Sequence, residues 1–282
     1  MSNPRFVVRN VRLALTAAAL SLSIAATAQS ALAAPCGNGP GGFNAWLADF
    51  KDEARGNGIS GRTISNALNG VTYNSRVIRL DRGQRSFKQS FEKFYARRAS
   101  SWLLNKARQK MKSHAGTLSA IEKRYGVPPA VIVTIWGMES NFGNGGGKMN
   151  IVRSLATLAY DCRRSAFFKN ELLAALKIID RGDMRPAQML GGWAGEIGQT
   201  QFLASSYVKY AVDFDGNGRR DLIRSVPDVL ASTANFLKSK GWQRGQGWQP
   251  GGTNFAVLKE WNRATVYQRT IAKAAGILAG RS

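Results

Sequence analysis

Histidine and cysteine are scarce in this sequence of 282 residues, which contains only His114, Cys36 and Cys162. A structural zinc centre of Cys and His ligands is therefore excluded, because such a centre needs four of them. A Ser-His-Asp or Cys-His nucleophile is excluded as well unless His114 is its base. His114 follows Lys110 and Lys112 in a polar stretch, which favours a surface position over such a role.

Long apolar runs are absent after the N-terminus. The one candidate, 13–28, follows three arginines and is shorter than the roughly 20 residues of a membrane-spanning helix. Ala31-Leu32-Ala33 then has the small-x-small form of a cleavage site. We therefore predict a secretory signal peptide over 1–33 and a periplasmic protein. Pro35 and Ala33 do not form a lipobox before Cys36, so no membrane anchor is expected.

The two cysteines both remain after export. An even number of cysteines in an oxidising compartment predicts one disulfide, between Cys36 and Cys162. In the loop-entropy model, closing so long a loop would add about 4–5 kcal/mol to the free energy of unfolding. Two free thiols are the alternative.

Acidic residues are few, because 17 Asp and Glu stand against 40 Lys and Arg and the net charge is +23. Loss of the signal segment leaves about +20, since that segment contains three arginines and no acid. A field of this sign concentrates polyanions. For an exported chain we expect these to be cell-wall peptide carboxylates, anionic wall polymers or lipid head groups, and we expect no nucleic-acid partner.

Alternating strand patterns are also scarce, and helical periodicity dominates. The predicted fold class is mainly α, with an irregular leader at 34–41 and one domain at 42–282. Besides a helix that begins at Pro128-Pro129, we predict helices at 43–53, 60–68, 87–95, 101–125, 151–160, 164–181, 185–190, 204–212, 226–240 and 265–278. Only 254–257 has the pattern of a short strand.

A glutamate closes the apolar run 131–138. At helical spacing, Ile132, Ile135, Trp136 and Glu139 share one face. A carboxyl group on an apolar face resists ionisation, and a carboxyl group that keeps its proton near neutral pH can act as a general acid. The alternative is a helix-end glutamate that points into solvent or pairs with a base.

Amides and hydroxyls follow in the segment 195–207, between small residues that permit close backbone approach. Such groups suit a sugar site, because they can bind hydroxyl and acetamido groups. Seven tryptophans and seven tyrosines supply aromatic rings on which sugars could stack, although aromatic residues of a helical protein more often belong to its core.

The segment 213–221 resembles the first half of an EF-hand loop. It places oxygen-bearing side chains at positions 1, 3, 5 and 9 and a glycine at position 6. Position 12, which should be a glutamate, is Arg224, but Asp228 could replace it in a longer loop. The alternative is a turn that binds no metal.

Four motifs occur in the order and at the spacing of one family: GVPP at 126–129, ESNFG at 139–143, GQTQF at 198–202 and YAVDFDGNG at 210–218. Over 43–278 the chain resembles the membrane-bound lytic transglycosylase B type of lytic murein transglycosylases. This resemblance implies a lysozyme-like helical domain. It also implies cleavage of the bond between N-acetylmuramic acid and N-acetylglucosamine in peptidoglycan, with formation of a 1,6-anhydro end.

The resemblance also implies residue roles. The catalytic acid and base is Glu139, and no cofactor is required for its reaction. The implied glycan contacts are Tyr95, Ser140, Gln201, Asn262 and Tyr267. The implied structural Ca²⁺ ligands are Asp213, Asp215, Asn217, Arg219 through its carbonyl, and Asp228. Three residues depart from the family pattern: Gly192, Phe236, and Glu196 where a small residue is common.

One carboxyl group suffices for this chemistry if the acetamido oxygen of the substrate stabilises the developing charge. Asp161, Asp180, Asp183 and Glu196 nevertheless remain candidates for a second acid near Glu139 in space. Two other functions remain open, a hydrolytic muramidase and a non-catalytic wall-binding protein. We expect a monomer whose partners are peptidoglycan glycan strands.

Overall fold

Helices form nearly all of the regular structure in the computed structural model, which describes residues 35–83 and 89–281. The predicted signal peptide lies outside the described residues. The helices are α1 Phe43–Gly56, α2 Gly61–Leu68, α3 Ser75–Arg82, α4 Phe91–Arg98, α5 Ser101–Ser113, α6 Ala115–Tyr125, α7 Pro129–Ser140, α8 Ile151–Tyr160, α9 Ser165–Asp180, α10 Ala204–Tyr210, α11 Val226–Ser239, α12 Thr253–Trp261 and α13 Thr265–Leu278. The prediction of a mainly α fold is confirmed. None of these helices is long and apolar enough to cross a membrane.

Helix α7 lies at the centre of the described structure. It contacts α5, α6, α11 and α13, and every residue from Ala130 to Met138 is buried. A helix that is apolar on all sides is stable only when other elements surround it. Its neighbours therefore fix the position of whatever side chain its C-terminal end presents.

The sheet structure is small. Strand β1, Met149–Asn150, pairs antiparallel with β2, Leu190–Gly191, and Met149 lies opposite Gly191. The pair joins the glycine-rich loop after α7 to the segment that carries the GQTQF motif.

Several predicted elements differ from the observed ones. The predicted strand 254–257 lies in α12, because a short apolar run does not distinguish a strand from a buried helix. The predicted helix 185–190 is a 3-10 helix at Pro186–Gln188 followed by β2. The predicted helix 101–125 is interrupted at His114, and α3 was not predicted.

The predicted disulfide is present. Cys36 and Cys162 are bonded, with their Cα atoms 5.0 Å apart. The backbone N–H of Gly37 also donates to the carbonyl of Tyr160 at 3.0 Å. The segment before α1 is thus attached to the end of α8 by a covalent bond and a hydrogen bond.

Candidate active site

Glu139 owes its position to the two ends of α7. Pro128 caps the helix and Pro129 occupies its first turn, where the missing N–H costs nothing. The helix ends at Asn141, whose φ of 53° is left-handed. Of the twelve residues of α7, only Pro129 and Glu139 are not buried. Glu139 is therefore the only polar side chain of this helix that is not buried.

Two donors from the C-terminal part of the chain hold that carboxyl group. Trp261 Nε1 donates to Glu139 Oε1 at 2.8 Å, and the Tyr267 hydroxyl donates to the same oxygen at 2.7 Å. Trp261 ends α12 and Tyr267 lies in the first turn of α13. Both bonds fix the orientation of the carboxyl group and leave Oε2 as the oxygen that can carry a transferable proton.

The surroundings of Glu139 favour its protonated form. Burial raises the pKa of Glu139, and the nearby carboxylate of Glu196 raises it further. The hydrogen bonds from Tyr267 and Trp261 and the charge of Arg98 oppose that rise in pKa. Burial also raises the pKa of Tyr267 well above its usual value, so its phenol remains a neutral donor.

Two cavities meet at Glu139, which is the only lining residue they share. The first, which we call the Gln201 cavity, has a volume of about 380 Å³ and is lined by Glu139, Glu196, Gln201, Phe202, Leu203, Ser206, Phe236, Glu260, Trp261 and Asn262. The second, the Trp102 cavity, has a volume of about 330 Å³ and is lined by Arg97, Arg98, Ser100, Trp102, Leu103, Gly137, Met138, Glu139, Ser140, Asn141 and Gly145. A larger cavity of about 540 Å³ lies beyond the glycine-rich loop and does not include Glu139.

One of the four candidate second acids reaches this site. Glu196 lines the Gln201 cavity, and its Oε2 accepts a hydrogen bond from the backbone N–H of Ala194 at 3.1 Å. Asp161 pairs with Arg82, and the other two candidates are engaged elsewhere: Asp180 by Ser60 and Thr63, and Asp183 by Arg181 and Arg220.

Gln201 and Asn262 both line the Gln201 cavity, as a sugar contact requires. Gln201 has a left-handed φ of 53°, and its Nε2 donates to the carbonyls of Gly146 and Gly198. Non-glycine residues in this region are strained and cluster at functional sites. In the described chain only Asn141, Phe142 and Gln201 are of this kind, and Asn141 lines the Trp102 cavity.

The other three predicted glycan contacts have different surroundings. Ser140 is 2% exposed, and its hydroxyl accepts the backbone N–H of Gly143. Tyr267 is 4% exposed and binds the carboxyl group of Glu139. Tyr95 lines neither cavity, and its hydroxyl is buried without a partner in the described structure. Ser140 thus lines the Trp102 cavity with its hydroxyl engaged by the backbone, and Tyr267 supports Glu139 from behind the cavities.

Sequence reasoning missed two residues of the site, Arg98 and Trp102, and placed Trp261 in an active-site segment without giving it a role. Trp261 binds Glu139 directly, while Arg98 and Trp102 line the Trp102 cavity. Arg98 donates to the carbonyl of Met138, one residue before Glu139. No local pattern distinguishes these residues, because their roles depend on contacts between distant helices.

The acidic loop between α10 and α11 brings oxygens together. Carboxylate oxygens of Asp213, Asp215 and Asp228 lie within 4.8 Å of one another. The side-chain oxygen of Asn217 accepts the backbone N–H of Arg219 at 3.0 Å. A set of oxygen donors with three carboxylates fits a hard cation such as Ca²⁺.

The helical fold, with one partly buried carboxyl group between two cavities, defines a protein of the lysozyme-like class. Residues 42–252 match the family described as Transglycosylase SLT domain, and the chain belongs to this family. The match ends before Trp261 and Tyr267, which complete the surroundings of Glu139.

Individual proteins similar to this chain agree with the family match. Membrane-bound lytic murein transglycosylase B of Escherichia coli (strain K12) is 42% identical over 122 residues, which are 43% of this chain and only 34% of that protein. The structure of SltB3 from Pseudomonas aeruginosa in complex with NAG-NAM-pentapeptide has a TM-score of 0.81 at 32% identity, covering 84% of this chain and 80% of that one. Together with the family match, these relatives confirm the predicted family.

A more distant structure supports the fold. The Escherichia coli lytic transglycosylase Slt35 in complex with calcium has a TM-score of 0.72 at 24% identity, covering 83% of this chain and 93% of that one.

Proposed function

We propose that this protein is a lytic transglycosylase that cleaves the β-1,4 bond between N-acetylmuramic acid and N-acetylglucosamine in peptidoglycan. The observation that carries the proposal is the carboxyl group of Glu139, held by Trp261 and Tyr267 where two cavities meet. A polymer bound across both cavities would present one glycosidic bond to this acid. The relative SltB3, whose complex contains NAG-NAM-pentapeptide, supports the same substrate class.

The reaction needs one group that first donates and then accepts a proton. Protonated Glu139 donates to the glycosidic oxygen, and the bond between that oxygen and the anomeric carbon breaks. The acetamido oxygen of the muramic acid bonds to the anomeric carbon and stabilises its charge. The carboxylate then takes the proton of the 6-hydroxyl group, whose oxygen displaces the acetamido oxygen. The 1,6-anhydro ring closes, and Glu139 is protonated again.

The neighbours of Glu139 serve both halves of this cycle. Burial keeps the acid protonated before the first step. Trp261 and Tyr267 donate to Oε1 and stabilise the carboxylate that forms after it. Gln201 and Asn262 line the cavity where amides bind hydroxyl and acetamido groups. Exclusion of water decides between ring closure and hydrolysis.

Mass spectrometry of muropeptides tests the proposal. Purified protein is incubated with intact sacculi, and the expected products carry 1,6-anhydro ends that Glu139→Gln does not form. Absence of any cleavage would favour the non-catalytic wall-binding alternative.

A hydrolytic muramidase is the second candidate, because Glu196 adds a carboxyl group to the Gln201 cavity. Ordinary glycosidases use two carboxyl groups, the second of which attacks the sugar or activates water. Reducing ends in place of anhydro ends, formed by the parent and lost in Glu196→Gln, would establish this reaction.

We also propose that the loop 213–221 binds a structural Ca²⁺ through Asp213, Asp215, Asn217, the carbonyl of Arg219, and Asp228. The clustered carboxylate oxygens support this, as does the calcium complex of Slt35. The ion would stabilise the connection between α10 and α11 and would not take part in the reaction.

Finally, we propose that the protein acts in the periplasm as a monomer, after removal of residues 1–33. The arginines and apolar run of that segment support export. The disulfide also supports it, because such bonds persist in oxidising compartments.

A further inference from the structure

Trp102 is exposed beside the candidate acid. Its exposed fraction is 59%, the highest among the large hydrophobic residues of the described chain. It lines the same cavity as Glu139. In the described structure its indole ring makes no ring contact and no hydrogen bond. Within the described residues, neither a ring contact nor a hydrogen bond therefore fixes the indole ring.

A ligand that covers the exposed indole ring would gain hydrophobic free energy. Full burial of a large apolar side chain contributes about 1.5–3 kcal/mol, and aromatic rings that line a cavity supply the apolar contacts of a binding site. One face of a pyranose ring presents C–H groups that pack on an aromatic ring, while its hydroxyls bind the polar rim.

We propose that the Trp102 cavity is a sugar-binding subsite in which one pyranose ring of the glycan stacks on the indole of Trp102. This inference rests on the proposed function, because it takes the ligand to be the polymer whose bond Glu139 cleaves. The subsite would hold the sugar next to that bond, on the side away from Gln201.

The arrangement of the cavities supports this placement. The Gln201 cavity and the Trp102 cavity share only Glu139, so a glycan that extended one sugar into each of them would place the bond between those sugars at Glu139. Gln201 and Asn262 supply polar groups to the first. The second cavity has Trp102 for the apolar face of the other sugar.

Nearby polar groups complete the subsite. Arg97 and Arg98 line the Trp102 cavity, and a hydrogen bond from Arg98 to the carbonyl of Met138 holds its guanidinium near Glu139. Ser100 and Asn141 line the same cavity. These groups offer donors to the hydroxyls at the edge of a stacked sugar.

The test measures saccharide binding in a chain that cannot cleave it. In the Glu139→Gln background, isothermal titration with a peptide-free GlcNAc-MurNAc oligomer should show a loss of affinity of about tenfold for Trp102→Ala, equal to about 1.4 kcal/mol. Trp102→Tyr should retain most of the affinity, because it keeps an aromatic face. Phe167→Ala is the matched control, since Phe167 is also exposed, at 43%, and lines neither cavity.

Kinetics with Glu139 present give a second measurement. Trp102→Ala should raise KM and leave kcat within a few-fold, the pattern of an interaction equally strong in ground and transition states. Unchanged affinity in Trp102→Ala, or equal loss in the Ala and Tyr variants, would overturn the subsite. Failure of the proposed function has a different signature. The Glu139→Gln variant, in which Trp102 is unchanged, would then still cleave the glycan. Melting curves of each variant identify any that fail to fold.

Discussion

The hydroxyl of Tyr267 donates a 2.7 Å hydrogen bond to Oε1 of Glu139, although 128 residues separate the two. Because burial keeps the phenol protonated, Tyr267 remains a donor through both halves of the proposed cycle. Its bond limits the rise in the pKa of Glu139 that burial causes. Burial and the two hydrogen bonds thus shift the pKa of Glu139 in opposite directions.

Replacement of Glu139 by Gln should abolish cleavage and leave the fold intact. The amide is nearly the same shape but cannot donate or accept the catalytic proton, so we expect a loss of more than about a hundredfold. Release of soluble muropeptides from sacculi measures the rate. Glu122→Gln is the control, because Glu122 lies on α6 and lines neither cavity. A rate within a few-fold of the parent would falsify the assignment of Glu139.

The pH dependence of cleavage should respond to Glu196. Glu139 donates only while protonated, so the rate falls as pH rises through its pKa. The charge of Glu196 raises that pKa, while Arg98, Tyr267 and Trp261 lower it. Removing the charge in Glu196→Gln should therefore lower the pKa of Glu139 and move the alkaline limb of the kcat profile to lower pH.

Glu260→Gln is the control for this shift. Glu260 lines the same cavity but pairs with Lys240. We expect the alkaline limb of the Glu260→Gln profile to lie at the same pH as that of the parent. A limb that moves equally in both variants, or in neither, would exclude the proposed coupling between Glu196 and Glu139.

Calcium should raise the melting temperature of the purified protein. An ion that binds only the folded state raises the free energy of unfolding by about 2.7 kcal/mol when its concentration is a hundred times its Kd. For a domain of this size, that corresponds to a rise in melting temperature of roughly 5–10 °C. Asp213→Asn should remove the shift, whereas Asp52→Asn on the exposed face of α1 should keep it. Identical melting curves in chelator and in excess calcium would mean that the loop is only a turn.

Loss of the disulfide should destabilise the fold. The bond closes a loop of 126 residues. In the loop-entropy model, closing such a loop adds about 4–5 kcal/mol to the free energy of unfolding. The double variant Cys36→Ser, Cys162→Ser should melt roughly 10–15 °C lower under calorimetry. The parent in reductant is the matched comparison, and a change of less than about 3 °C would show that the contacts of the leader suffice without the bond.

Salt should release the protein from intact sacculi but largely spare the cleavage of short glycans, which carry few charges. Its charge of about +20 after export attracts the anionic wall, and exposed charges are screened beyond about 8 Å at physiological ionic strength. Pelleting with sacculi and turnover of a short glycan are measured across the same salt series. Equal salt sensitivity in both would place the basic residues in the catalytic groove itself.

Much of the fold was predictable from local patterns. Helices α8 and α13 begin and end where the periodicity predicts, because long apolar faces bounded by polar caps determine both type and extent. The segment 254–257 was predicted incorrectly as a strand, since four residues are too few to establish a period. The disulfide followed from the even cysteine count and the predicted export.

The sequence by itself determined the family pattern and the glutamate within it that is the candidate acid, because the motifs are short and each is contiguous in the chain. It did not determine that α7 is buried on nearly every side, nor that Glu139 is its only polar side chain that is not buried. Only the tertiary structure brought Trp261, Tyr267, Glu196 and Trp102 to that carboxyl group or its cavities. The pKa of a buried acid depends on neighbours that are distant in sequence, and helix packing decides which neighbours those are.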